Sequence, residues 1–271
     1  MPAAARQRYL EALGLRDFLR EAPSVAEAPA APAPQARQSV RAERPAAGPR
    51  PATRQAAPAP APAPAAEAPV PAVPEPEPVP QLDSLEEARR CVAECQRCAL
   101  AGTRTQTVFG VGAECAPLMI VGEGPGAEED RRGEPFVGRA GQLLDAMLAA
   151  IGHSRGDNTY IANVVKCRPP NNRDPQPQEV AACRPFLDTQ IRLIRPKLIL
   201  AVGRVAAQRL LDTSEPLARL RGKLHHYGEE EVPVWVSYHP AYLLRSPHEK
   251  AKAWQDLKRV HALLVEDGAG G

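Results

Sequence analysis

The chain has 271 residues, six cysteines and a formal net charge of +2. A charge this close to zero gives no general argument for nucleic acid binding, so such a function would depend on local clusters of Arg and Lys. No apolar run is long enough to span a membrane and no secretory signal is recognisable, so we expect a cytoplasmic protein with reduced thiols.

The first 80 residues are predicted to form two segments that lack a core of their own. Residues 1–20 have the pattern of a short amphipathic helix, which is either a fraying terminus or a docking peptide for a protein partner. Residues 21–80 contain 17 of the 31 prolines and almost no large apolar residues. We therefore expect a disordered Ala/Pro-rich linker there, and a folded domain over residues 81–271.

Four short apolar runs in this domain are typical of buried parallel strands. They lie at residues 118–121, 160–165, 198–202 and 232–238. Helical patterns separate them, and this alternation predicts an α/β fold with a four-stranded, mainly parallel sheet and helices on both faces. Ligands of such sheets bind beyond the carboxyl ends of the strands, where this sequence has its polar turns.

Four of the cysteines form two distant pairs, Cys95 with Cys98 and Cys167 with Cys183. We expect them to form one metal site that joins the segment before the first strand to the loop after the second. An iron–sulfur cluster is our preferred interpretation. Three alternatives remain open: a structural zinc ion, a disulfide, and a three-cysteine loop that includes Cys91 and is similar to that of radical S-adenosylmethionine enzymes.

A glycine-rich turn after the first strand carries a family resemblance. The turn reads GEGPGAEED at residues 122–130, and GEPFVGRAGQLL follows at residues 133–144. Together with residues 160–170 and the segment HPAYLLR at residues 239–245, these motifs resemble the iron–sulfur uracil-DNA glycosylases, family four of their superfamily. The resemblance covers most of the folded domain and none of the first 80 residues.

This resemblance implies both a fold and a reaction. The fold would be a three-layer α/β/α sandwich with a [4Fe–4S] cluster held by Cys95, Cys98, Cys167 and Cys183. The reaction would be hydrolysis of the N-glycosidic bond of deoxyuridine in DNA, which releases uracil and leaves an abasic site for base excision repair. The substrate would be uracil-containing DNA, single- or double-stranded, and the enzyme would be a monomer.

Three side chains are expected to hold the flipped uracil base. By resemblance, Phe136 stacks on the ring and His239 donates a hydrogen bond to O2 as negative charge develops on the leaving base. The amide of Asn163 can donate to O4 and accept from N3–H at once, which cytosine cannot match. Each of the three could instead have a purely structural role.

The glycine-rich turn is expected to provide the rest of the uracil pocket. Family-one glycosylases carry a water-positioning Asp where this chain has Gly124, so the catalytic water would be held by the backbone, by Glu123 or by another group. By resemblance, Glu129 would lie near uracil C5 and exclude the methyl group of thymine. The alternative for Glu129 is a plain hydrogen-bonding role.

Other side chains are expected to contact the DNA around the flipped nucleotide. Leu243 or Leu244 could fill the gap that the base leaves in the stack. Arg168, Arg173 and Arg245 could hold phosphates.

Two rival functions remain at this stage. The first is covalent capture of DNA, as in a related superfamily member that uses an inserted basic histidine loop, which we do not see between residues 221 and 234. The second is a non-catalytic iron–sulfur module that binds uracil-containing DNA.

Overall fold

The computed structural model of the protein describes residues 81–266. The predicted N-terminal peptide and linker lie outside these residues, as does the C-terminal segment 267–271. Between residues 81 and 266, none of the helices has the length and apolar character that crossing a membrane requires.

A six-stranded sheet forms the centre of the domain, with the strand order β1-β3-β2-β4-β6-β5. The strands are β1 (Val111–Gly112), β2 (Leu118–Gly122), β3 (Thr159–Asn163), β4 (Leu198–Val202), β5 (Leu224–Tyr227) and β6 (Val232–Ser237). The central strands β3, β2, β4 and β6 are parallel, whereas β1 and β5 pair antiparallel at the two edges.

The four predicted parallel strands are thus confirmed, and the predicted number of strands is corrected from four to six. The two extra strands gave little sequence signal. Strand β1 consists of two residues, and β5 reads Leu-His-His-Tyr with only its last residue buried. Neither has the continuous apolar run of a strand that is covered on both faces.

Eight α-helices surround the sheet in the described part of the chain. They are α1 (Leu85–Glu94), α2 (Ala127–Arg132), α3 (Arg139–Ala150), α4 (Pro177–Ile194), α5 (Arg204–Leu210), α6 (Leu217–Leu220), α7 (Pro240–Arg245) and α8 (Lys250–Glu266).

Alternate residues of the central strands point to opposite faces of the sheet and build two apolar cores. On one face, Met119, Ile199 and Val234 pack with helices α1, α4 and α5. On the other face, Ile120 and Leu200 pack with helices α3 and α8. Helices cover both faces, so the three-layer α/β/α sandwich expected for this fold class is confirmed.

The carboxyl ends of the parallel strands meet at one edge of the sheet. Gly122 at the end of β2 is in register with Asn163 at the end of β3. Gly203 follows β4 with a φ of +100°, and a Cβ there would lie 3.0 Å from Cβ of His239. Glycine at this position therefore lets the turn into α5 approach the turn after β6.

Candidate functional site

A cleft of about 760 Å³ opens at the carboxyl edge of the sheet. It is lined by the turns after β2, β3, β4 and β6, by helix α7, and by Phe136. Phe136 belongs to residues 133–138, which we call the Phe136 loop. The cleft brings together all six residues that the sequence assigned to the uracil pocket: Glu123, Gly124, Glu129, Phe136, Asn163 and His239.

The floor of the cleft is formed where two side chains cross the backbone of Gly122. A Cβ at this position would lie 2.4 Å from Oδ1 of Asn163 and 2.7 Å from Cζ of Phe136. Only glycine therefore fits beneath the two side chains. Oδ1 of Asn163 is buried, and no group in residues 81–266 donates a hydrogen bond to it. Buried polar atoms are nearly always paired, so this acceptor is available to a ligand.

The Phe136 loop is held in an unusual backbone conformation. Phe136 has a φ of +54°, a region that large side chains rarely adopt, and its ring is almost fully buried. Its carbonyl oxygen would lie 1.7 Å from a Cβ at Gly141, so the start of α3 needs glycine there. Arg155 donates hydrogen bonds to the carbonyl oxygens of Pro135, at 3.0 Å, and Phe136, at 2.8 Å.

Glu129 secures the same loop from helix α2. Its Oε1 accepts hydrogen bonds from the backbone N–H of Val137, at 3.0 Å, and of Gly138, at 3.2 Å. The side chain also lines the cleft. The position of Glu129 thus combines a hydrogen-bonding role with a place in the cleft wall, the two alternatives drawn from the sequence.

His239 lies opposite the loop, and its ring stacks on Phe136 with 5.5 Å between the ring centroids. Its Nδ1 accepts a hydrogen bond from the backbone N–H of Ala241 at 3.1 Å. Burial, followed by the charge of Arg245, lowers the pKa of His239 to about 4. The imidazole is therefore neutral near pH 7, and because Nδ1 is an acceptor its hydrogen lies on Nε2.

Glu123 belongs to a charged group at the mouth of the cleft. Burial raises the pKa of Glu123 to about 7, and the neighbouring carboxylate of Asp174 adds to the effect while Arg204 opposes it. Nη2 of Arg204 lies 2.5 Å from Oδ2 of Asp174. No sequence motif singled out Asp174 or Arg204, because their contact joins the loop after β3 to the start of α5 after β4.

The four paired cysteines converge at a second place, next to the cleft. Cys95 ends α1, Cys98 starts a short 3₁₀ turn, Cys167 follows β3 and Cys183 lies in α4, and all four line one small, mainly apolar cavity. In the described residues, no three His, Cys, Asp or Glu side chains are arranged to hold a single metal ion. Four cysteine sulfurs around one cavity are the ligand set that both an iron–sulfur cluster and a structural zinc ion use.

Nitrogen donors already point at two of these sulfurs. Nη1 of Arg104 lies 3.1 Å from Sγ of Cys167, and the backbone N–H of Lys166 lies 3.3 Å from Sγ of Cys183. Hydrogen bonds of this kind stabilise thiolates and tune iron–sulfur centres. The donor set and its surroundings therefore fit the expected group.

Comparison with known proteins places this geometry in a family. A family model described as the uracil DNA glycosylase superfamily matches residues 109–258, which is more than half of the chain. The chain belongs to the uracil-DNA glycosylase superfamily. The matched range includes the lining of the cleft from Glu123 to Arg245, together with Cys167 and Cys183.

Several curated proteins that are similar to this chain are uracil-DNA glycosylases of one type, type 4. The chain is 41% identical over 190 residues to the type-4 uracil-DNA glycosylase of Sulfurisphaera tokodaii, covering 68% of this chain and 86% of the relative. The type-4 enzyme of Archaeoglobus fulgidus is 43% identical over 188 residues, or 67% and 94% of the two chains. That of Thermotoga maritima is 41% identical over 182 residues, or 65% and 93%. The suspected type-4 membership is therefore confirmed.

In this glycosylase, two neighbouring leucines that the sequence could not distinguish differ in burial. Leu243 is fully buried and packs in the core between α7 and the sheet, so it is not on the surface that faces the cleft mouth. Leu244 is partly exposed on the same helix. Exposure therefore favours Leu244 over Leu243 for filling the gap, and this role stays a prediction.

The three predicted phosphate contacts of the glycosylase differ in their surroundings. Arg245 is exposed and lines the cleft. Arg168 donates to Oδ1 of Asn172 at 2.7 Å on the loop after Cys167. Arg173 pairs bidentately with the buried carboxylate of Glu179, at 2.6 and 2.8 Å, so its guanidinium already holds this loop against α4. Its role in DNA binding stays a prediction.

An aromatic pair that the sequence did not suggest completes the rim of the glycosylase. Tyr238 and Tyr242 stack with their centroids 5.3 Å apart, and both line the cleft. The guanidinium of Arg221 lies 4.1 Å from the centroid of Tyr238 and is fixed by Asp256. Aromatic faces held in this way can stack on bases next to a flipped nucleotide.

Proposed function

We propose that the protein hydrolyses the N-glycosidic bond of deoxyuridine in DNA, releasing uracil and leaving an abasic site. The observation that carries this proposal is the unpaired, buried Oδ1 of Asn163 beside the rings of Phe136 and His239. These groups occupy the cleft of a chain that belongs to the uracil-DNA glycosylase superfamily. Excision of this kind initiates base excision repair.

Asn163 reads the hydrogen-bonding edge of uracil in this proposal. Its Oδ1 accepts from N3–H and its Nδ2 donates to O4, while Phe136 stacks on the ring. Cytosine has an acceptor at N3 and an amino group at position 4, so it would leave both amide groups unpaired. Each unpaired buried group costs about 1–3 kcal/mol, which discriminates against cytosine.

Glu129 limits the size of the base. Its carboxylate is anchored by two backbone N–H groups and so forms a fixed part of the wall rather than a mobile side chain. In the proposed pose the wall lies near uracil C5. The methyl group of thymine would have to displace an anchored carboxylate, so thymine is excluded.

His239 stabilises the departing base. When the bond between C1′ and N1 breaks, its electron pair stays with uracil and the negative charge spreads onto O2. The neutral imidazole donates from Nε2–H to this oxygen. A donor that is fixed before the reaction costs little reorganisation, which makes it effective in stabilising the transition state.

Glu123 handles the water that completes the reaction. The water oxygen adds to C1′ of the deoxyribose, and one water proton passes to the carboxylate of Glu123. A pKa of about 7 suits this exchange, because the carboxylate and the acid are both accessible near neutral pH. Gly124 provides no carboxylate of its own, which leaves this task to Glu123 and its neighbour Asp174.

We propose a [4Fe–4S] cluster held by Cys95, Cys98, Cys167 and Cys183. When bound, the cluster would supply cross-linking rather than redox chemistry in this reaction. The protein residues around it join the segment after α1 to the loop after β3 and to α4. That loop carries Arg168 at the start and Asp174 at the end, so fixing it also fixes one side of the cleft.

Several features of the cellular role stay predictions. These are the cytoplasmic location, the monomeric state, and action on both single- and double-stranded DNA. The division into an N-terminal peptide over residues 1–20, a linker over residues 21–80 and a catalytic domain over residues 81–271 is likewise proposed. Residues 1–20 would then serve as a docking peptide for a protein partner.

Uracil release is the direct test of the proposed function. Anaerobically purified protein would be incubated with an oligonucleotide that contains one uracil, and alkali would then cleave any abasic site. We expect cleavage with uracil and none with thymine or cytosine at the same position. Absence of cleavage by protein that retains its iron would contradict the proposed hydrolysis. Covalent capture would then appear as a slower-migrating protein–DNA adduct, and simple binding as a retarded complex without strand cleavage.

A further inference from the structure

Lys166 is a buried cation between the two sites. Its side chain is only 1% exposed, although lysine is among the residues least often buried. It lies next to Cys167 in sequence and three residues after Asn163. A buried ammonium is costly unless hydrogen bonds and a negative charge compensate for its lost hydration.

Hydrogen bonds compensate only part of this cost. Nζ donates to the carbonyl oxygen of Asn163 at 2.8 Å and to Oε1 of Gln190 at 2.5 Å. Gln190 is fixed in turn, because its Nε2 donates to the carbonyl oxygen of Phe109 at 2.9 Å and to the hydroxyl of Tyr160 at 3.2 Å. Every one of these acceptors is neutral, so the network orients the ammonium without balancing its charge.

The missing negative charge can come from the cysteines. Among residues 81–266, the acceptors of Nζ are the neutral groups of Asn163 and Gln190, and Lys166 lines the small cavity together with the four cysteines. The backbone N–H of Lys166 also donates to Sγ of Cys183. Four thiolates bound to a [4Fe–4S] core carry a net negative charge, whereas four neutral thiols would leave the lysine unbalanced.

We propose that Lys166 is the buried counter-ion of the four-cysteine centre and the positioning residue that links this centre to the uracil pocket. This inference rests on the proposed cluster and not on the identity of the excised base. The link runs through the carbonyl oxygen of Asn163, the last residue of β3, whose side chain forms the floor of the cleft. One ammonium thus stabilises the thiolate centre and fixes the peptide that follows the base-reading amide.

The test compares the removal of the charge with the removal of a hydrogen bond. Lys166→Met keeps the length of the side chain and deletes the ammonium. Gln190→Leu keeps the ammonium and deletes one of its acceptors. Iron content, the rate of iron loss to a chelator and the midpoint potential of the centre would be measured on purified holoprotein. Uracil release would be measured in parallel.

If Lys166 is the counter-ion, the two variants should differ in their rate of iron loss and in their midpoint potential. Lys166→Met is expected to lose iron about tenfold faster than wild type, since partners of metal ligands typically affect retention on that scale. Its midpoint potential is expected to be lower, because reduction adds an electron that the ammonium no longer stabilises. Gln190→Leu is expected to stay within about threefold of the wild-type rate, with an unchanged potential. Equal iron loss and equal potential in Lys166→Met and wild type would overturn the proposal.

A third variant decides the matter if Lys166→Met does not fold. Gln190→Glu places a carboxylate against the ammonium, which would neutralise it locally while Lys166 remains. Faster iron loss than in Gln190→Leu supports the counter-ion role, and equal loss contradicts it. Wild-type protein that holds iron but releases no uracil would refute the glycosylase function alone, because the iron measurements remain valid without it.

Discussion

In the proposed reaction, two uncharged side chains contact the polar atoms of the base, and the fold accounts for the state of each. Asn163 ends a strand that is buried along its whole length, and no group in residues 81–266 donates a hydrogen bond to its Oδ1. His239 is held by the Ala241 N–H and desolvated by its surroundings, which depress its pKa to about 4. Both arrangements favour recognition of a neutral base that becomes anionic only as it leaves.

The amide of Asn163 can be tested by truncation. Asn163→Ala is expected to lower the single-turnover rate of uracil release at least about a hundredfold, because it removes hydrogen bonds formed in a buried site. DNA binding and iron content should stay at wild-type levels. Gln255→Ala is the control, because it removes an exposed side-chain amide on α8, and its rate should lie within about twofold of wild type. A rate for Asn163→Ala close to that of the control would contradict the base-reading role.

The carboxyl of Glu123 predicts the pH dependence of the reaction. Its pKa is raised to about 7, so the water-accepting carboxylate is depleted as the pH falls through that value. We expect the single-turnover rate of uracil release to rise with pH through about 7 and then level off. His239 cannot cause this rise of the rate with pH, because its pKa of about 4 keeps it neutral throughout the range.

Two variants separate Glu123 from other titrating groups. Glu123→Gln should lower the rate of uracil release and remove its rise with pH. Asp174→Asn should shift the rise of the rate to lower pH. The Asp174 charge raises the pKa of Glu123, and without it the charge of Arg204 lowers that pKa. If the rate of Glu123→Gln still rises with pH through about 7, the titration belongs to another group.

The sequence predicted those site residues that lie inside contiguous motifs. Glu123, Phe136, Asn163 and His239 belong to such motifs, and the cleft contains all of them. Arg155, Asp174 and Arg204 were missed, because each acts through a contact between segments that are distant in the chain. The burial of Leu243 was equally invisible, since neighbouring leucines on a short helix differ only in the face that they present.

At the level of elements, the Phe136 loop has a strained backbone, and the glycine at the start of α3 leaves the space that this backbone needs. The positive φ of Phe136 sets its ring over Gly122, and the missing side chain of Gly141 leaves room for the Phe136 carbonyl. Glu129 and Arg155 then hold the loop from two sides. Long apolar strands were predictable from their composition, whereas this conformation depends on contacts between α2, α3 and the turn at Arg155.

Gly141 offers a direct test of the loop. In Gly141→Ala the new Cβ would overlap the Phe136 carbonyl, so the loop must move. We expect uracil release to fall roughly a hundredfold, which is the typical cost of misplacing a binding group by about an ångström. Gly156→Ala is the control, because a Cβ there meets nothing within 4 Å. Equal activities of the two variants in the oligonucleotide assay would refute the constraint on the loop.

At the level of the whole molecule, all the predicted site residues lie within residues 81–266. Both apolar cores, the cleft and the four-cysteine cavity are formed by residues of this range. The first 80 residues are rich in Pro and Ala and contribute none of the predicted site residues. Residues 21–80 contain almost no large apolar residues and cannot form a core, so the contribution of the first 80 residues would be tethering rather than catalysis.

Deletion of residues 1–80 tests this division of labour. We expect the truncated protein to retain its iron and to release uracil from short oligonucleotides at a rate within about twofold of the full chain, because the lost segment carries no site residue. A difference would instead emerge in assays that include a protein partner, where the tethered peptide raises the local concentration of the enzyme. The rate on a short oligonucleotide is decisive, since no partner is present. A large loss there would mean that the N-terminal segment takes part in forming the site, and the tether interpretation would be abandoned.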